Sequence, residues 1–214
     1  MRKRMYTYLG VTAAMAMLAV IPAAPAMAAT GGVLTVGSLG GTNVNVGDAL
    51  KAPLSGSAVL TTSSGTLTCT GGSFSSKDKT NPAASTGTAT ETVTAIAFTA
   101  STCTSTISGT TSVASIGLKK GTAPVATVTV STMKMTVKPI VAVVLNTVLG
   151  PVSCFYGGSV SGTLSNTNNS LSFSSAKVTR QSGSSSLCPA SGTYTAAYQP
   201  ITDTTQAAQK VFVN

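Results

Sequence analysis

Catalysis needs side chains that move protons, attack substrates or hold metals, and this 214-residue chain carries few of them. It has no histidine. That removes the Ser-His-Asp and Cys-His arrangements, in which imidazole takes the nucleophile's proton, together with histidine-based zinc sites. The only acids are Asp48, Asp78, Glu91 and Asp203, so a two-carboxylate glycosidase would have to draw its pair from these four. Each has a structural reading instead. Asp78, between Lys77 and Lys79, reads as a hairpin tip; Asp48 and Asp203 follow Gly47 and Thr202 in turn-like contexts; Glu91 opens a strand on its polar face. A Ser-Lys centre stays open as an alternative, although the abundance of serine singles out no particular one. The expectation is a non-enzymatic protein with no catalytic residue, no cofactor site and no metal site.

The four cysteines are Cys69, Cys103, Cys154 and Cys188. They lack the close pairs of a zinc motif, and an even count in an exported chain argues for two disulfides. Three pairings are possible. The first two cysteines and the last two are each separated by 34 residues, which favours Cys69 with Cys103 and Cys154 with Cys188.

Export itself is read from the start of the chain. Arg2, Lys3 and Arg4 precede an uncharged stretch from Leu9 to Ile21, followed by Pro22, Pro25 and the small-x-small run Ala26-Met27-Ala28. The apolar run is shorter than the roughly 20 residues of a membrane-crossing helix. It fits a signal peptide at 1–28 cleaved after Ala28, with the general secretory route favoured over the twin-arginine one. The next most apolar stretch, Ile140 to Leu149, has the length of a buried strand, so no membrane span is expected in the mature chain. Loss of the three leading basic residues takes the formal charge from +9 to +6. The mature product is expected outside the cell, free or associated with the wall.

The elements that must position these residues are strands. Short alternating runs such as Val33–Val36, Ala58–Thr61, Thr66–Cys69, Glu91–Phe98, Val125–Val130, Met133–Val137, Val160–Leu164 and Thr193–Tyr198 are separated by turn signals. These include Asn81-Pro82, Ser108-Gly109, Gly121 and Asn166–Asn169. Many short strands at this spacing predict an all-β fold, an antiparallel β-sandwich of immunoglobulin-like or Greek-key type, as one domain over 29–214. In Met133–Lys138 the odd positions are apolar and the even ones are Lys134, Thr136 and Lys138, so one face goes in and the other meets water. Leu67–Ser75 and Val152–Ser161 are weakly similar, each with Gly-Gly after its cysteine strand, which raises the possibility of two related halves.

Three segments carry a resemblance: Gly40–Asp48; Asn81-Pro82-Ala83-Ala84 through Gly87–Glu91 to Phe98 and Cys103; and Val148–Cys154. Across them the chain resembles a family of small secreted actinobacterial β-proteins of unassigned function, often labelled only by their export signal. The resemblance implies export and a β fold. It brings no catalytic or binding residue with it.

Binding is the remaining function class. The basic residues are scattered, with only Lys119-Lys120 adjacent beyond the signal and no interleaved aromatics, so nucleic acid is not an expected partner. Lys119, Lys120, Lys134 and Lys138 are candidates for a positive patch that meets an anionic cell-wall polymer. The favoured expectation is a cell-envelope or matrix component binding wall polymers or other copies of itself. The alternative is a ligand-binding or inhibitor module, which an apolar cavity with a few convergent polar groups would favour. Tyr194 and Tyr198, on one face of a strand, are able to stack a sugar or to serve as core residues with wet hydroxyls.

Overall fold

The fold is that of a computed structural model that describes residues 31–214. The signal peptide read at 1–28 lies outside the described residues. Among those residues the chain forms seventeen strands and two single turns of 3-10 helix, so the all-β expectation holds. The strands are β1 (Leu34–Val36), β2 (Thr42–Asn43), β3 (Ala49–Thr62), β4 (Gly65–Cys69), β5 (Gly72–Thr80) and β6 (Thr88–Phe98). Next come β7 (Cys103–Ser105), β8 (Thr110–Leu118), β9 (Val125–Thr129), β10 (Lys134–Val137), β11 (Ile140–Thr147) and β12 (Gly150–Gly157). The last are β13 (Val160–Ser165), β14 (Ser170–Arg180), β15 (Ser191–Tyr198), β16 (Thr202–Asp203) and β17 (Gln209–Val213).

The sandwich expectation is corrected by the pairing. Followed from neighbour to neighbour, β3 pairs β5, then β6, β9, β10, β13, β14, β15 and β3 again, every step antiparallel. Eight strands therefore close into a barrel. The physical reason is edge pairing: β9 and β10, a hairpin across the turn at 130–133, join β6 to β13, and a two-sheet sandwich would leave those edges open.

Four of the eight strands continue beyond this ring. The far halves of β3, β6 and β14 take new partners, β4, β8 and β12, and β11 bridges β8 to β12. Strand β15 follows β3 and β14 throughout, with β7 added beside β4. The molecule is a closed ring extended at one end by a second set of strands. Continuous strands bend at the waist between the two. Gly56, with φ +75°, lies where β3 slips register against β15, and Ser175, with φ +48°, marks the bulge in β14.

The resembling segments around Cys69 and Cys154 have parallel roles here. In each, a cysteine strand of the upper part (β4, β12) passes through glycines into a strand of the closed ring (β5, β13), and both halves lie along one continuous neighbour, β3 or β14. Both expected disulfides form: Cys69–Cys103 between facing positions of β4 and β7, and Cys154–Cys188 between β12 and the loop before β15.

Burial follows the split. One apolar cluster fills the ring, with Val93, Val128, Met135, Val137, Leu171 and Tyr198 among its members; another fills the upper part, around Leu67, Ile116, Val143, Leu145 and the cysteines. The far mouth of the ring is plugged by β1, β2 and β17, whose Leu34, Val36, Val211 and Val213 join the core. Asparagine side chains stitch that plug. Asn81 bonds Leu34 and Val44, Asn166 and Asn169 bond β17, and the Asn214 side chain reaches Gly32.

Candidate functional site

Where two packed cores meet without merging, space remains. A cavity of about 80 Å³ lies at the waist, walled by Ile96, Val137 and Val160 from the ring and by Leu67, Ile116 and Val143 from the upper strands. It exists because β10 and β13 part from β11 and β12 there: Pro139 and Gly157, at the two partings, also line it. Gly157 is fixed by crowding, since a Cβ at that position would sit 2.9 Å from the Pro139 carbonyl oxygen. Phe98, Val141 and Val178 line the cavity yet keep part of their surface in solvent, which gives it a mouth.

The lining is apolar apart from tyrosine hydroxyls and contains no charged residue. Tyr156 donates its hydroxyl proton to the Pro189 carbonyl at 3.1 Å. Tyr194 and Tyr198 behave differently. They sit four residues apart on β15, pack against Phe173 and Phe74, and place their hydroxyl oxygens 2.6 Å from each other. Burial pushes the Tyr198 hydroxyl up to about 12 and, with the neighbouring Tyr198 adding to it, holds Tyr194 well above its ordinary range. Both are neutral donors at any biological pH. The expectation of core tyrosines holds, and the two hydroxyls meet each other.

The acids form a second cluster, and two expectations about them are corrected. Asp78 is no hairpin tip. It is an inward residue of β5 at 3% exposure, with Lys77 and Lys79 pointing out on either side. Glu91 lies on the buried face of β6, directly across from Asp78 and bonded to the Ser76 hydroxyl. Asp48 accepts from the Asn45 backbone N–H at 2.8 Å and the Gln206 amide at 2.7 Å; Asp203 accepts from the N–H groups of Thr205 and Gln206.

All four acids of the chain are buried at the plugged end of the ring. Burial, reinforced by the charges of Asp48 and Asp203, pushes Asp78 up to about 6, and neither of its carboxylate oxygens has a hydrogen-bond partner. Burial takes Glu91 to about 7 against the opposing bond from Ser76. Desolvation also raises Asp203, whereas the hydrogen bonds to Asp48 outweigh its own desolvation and hold it low. Among the described residues no group of three or more His, Cys, Asp or Glu is placed to hold a metal ion.

The four candidate lysines are only partly gathered. Lys119 donates its backbone N–H to the Ile140 carbonyl at 2.7 Å, which brings the Lys119-Lys120 turn beside Lys138. Lys134 stands at the other end of β10, about 14 Å away along the strand. Lys120, Lys134 and Lys138 are exposed, while the Lys119 ammonium lies 4.4 Å from the Phe155 ring centroid.

No helix among the described residues is long and apolar enough to cross a membrane. Comparison with protein-family models, with curated proteins and with solved structures finds no match.

Proposed function

We propose that the protein is an exported, non-enzymatic β-barrel that binds a small, largely apolar ligand in the waist cavity. The observation that carries this reading is the cavity itself. A void at the junction of two cores loses contacts on every wall, and a chain selected only for stability fills such a space. Here it is walled by apolar side chains, has a mouth, and holds a small number of oriented hydroxyls, the pattern of a ligand site. Two disulfides fit an extracellular setting. Outward positions of the ring carry Lys51, Lys77, Lys79 and Lys134, unlike the apolar band of a lipid-facing barrel.

The test uses methylenecyclopentane as an apolar probe and the methyl resonances of Ile96, Val143 and Val160 as reporters. Those resonances move together and saturably in the native protein. In Ala58→Leu, which grows a buried lining residue into the void, they stay still while the fold persists. Equal shifts in both proteins, or none in either, contradict the reading.

A second reading rests on the convergence of Lys119, Lys120 and Lys138 at one corner. There the barrel also engages an anionic wall polymer, which anchors it to the envelope. Retention on purified wall then falls steeply with added salt and with replacement of Lys120 and Lys138 by glutamine.

A further inference from the structure

We infer that the ligand carries one neutral hydrogen-bond acceptor, of the carbonyl or ether kind, which receives the hydroxyl proton that the Tyr194–Tyr198 pair leaves over. This rests on the ligand-binding reading above and narrows it to a chemical class.

Two tyrosine hydroxyls hold two protons, and the single bond between their oxygens uses one. Whichever tyrosine donates, the other retains a proton, beside a cavity that both residues line. The third cavity tyrosine shows the contrast: the Tyr156 proton goes to the Pro189 carbonyl. An O–H donor without an acceptor in an apolar enclosure is costly, whereas satisfying it recovers that cost. An acceptor on the ligand is the economical solution.

The surroundings set its charge. No Lys or Arg lines the cavity, so a carboxylate or phosphate brought there would be a buried charge with no counter-ion. A cationic or purely donating head finds no carboxylate either. The pair at 2.6 Å also polarises the remaining O–H, since an accepting hydroxyl becomes a better donor. The aromatic floor of Phe74 and Phe173 holds both rings, so the donor is fixed before the ligand arrives.

Cyclopentanone and methylenecyclopentane have the same shape and differ in C=O against C=CH2, so their affinity ratio isolates the acceptor. Single substitutions are uninformative, because either hydroxyl alone still has a free proton. In the double variant Tyr194→Phe/Tyr198→Phe both hydroxyls are gone, and replacing both partners by apolar groups is nearly neutral for folding. The ketone-to-alkene affinity ratio is expected to drop about tenfold in that variant, the loss of one hydrogen bond. An independent readout in the native protein is the infrared carbonyl stretch of bound cyclopentanone, which moves below its position in hexane. An unchanged ratio with an unshifted carbonyl, while methylenecyclopentane still binds, overturns the acceptor and leaves the cavity reading intact. Failure of both probes to bind overturns both.

Discussion

Burying every acid of a basic chain at one end of a barrel makes its stability depend on pH in an unusual direction. Asp78 titrates at about 6 and Glu91 at about 7, against ordinary values of 3.8 and 4.5. A carboxyl raised on folding binds its proton more tightly in the folded state. Its stabilising share is fully present below the unfolded value and is lost as pH rises through the folded one. Unfolding free energy therefore falls between about pH 4 and pH 7, by up to about 3 kcal/mol for each group. Asp203 adds to this trend and Asp48, held low, opposes it. Urea midpoints measured from pH 4 to pH 8 are expected to decline, and Asp78→Asn to flatten the decline between pH 4 and pH 6. A midpoint that rises across the window contradicts the burial of these carboxyls. None of this was legible in the sequence, because Lys-Asp-Lys is a common turn composition and an inward carboxylate breaks the alternation rule that locates strands.

At the scale of elements, local alternation located most strands and missed those whose pattern is interrupted. Met135 and Val137 go inward and Lys134, Thr136 and Lys138 outward, as their spacing requires. The first half of β3 was hidden by Pro53, Gly56 and two serines, and β5 by its charges; β8 and β12 likewise lack a clean apolar period. The proline and glycine of β3 are where a long strand bends from the ring into the upper part, so the residues that obscure it also shape it. Cysteine spacing was the most informative signal of all. Because both disulfides close 34-residue separations, the chain-entropy model gives each about 4 kcal/mol. Chemical denaturation of Cys69→Ala/Cys103→Ala and Cys154→Ala/Cys188→Ala is expected to show similar losses. A large inequality would show that one bridge acts chiefly through the native state, at the β4–β7 pairing or in the loop before β15.

At the scale of the molecule, closure was beyond the reach of local pattern. The ring depends on β6 with β9, β10 with β13 and β15 with β3, and the last of these joins residues as far apart in sequence as Leu54 and Tyr198. A sandwich and a barrel use the same alternating strands and differ only in which edges meet. The cavity was illegible for the same reason, since it belongs to the junction of two cores and to no single segment. Only Tyr194 and Tyr198 announced themselves, as aromatic residues of equal parity on one strand.

The central claim is that this junction holds a ligand, and native mass spectrometry of the chain purified from the cells that make it is the most direct measurement. The account predicts a chain with both disulfides formed that carries a single small neutral molecule, displaced by cyclopentanone and absent from Ala58→Leu. A bare chain in every preparation, which also takes up no cyclopentanone at saturating concentration, contradicts it.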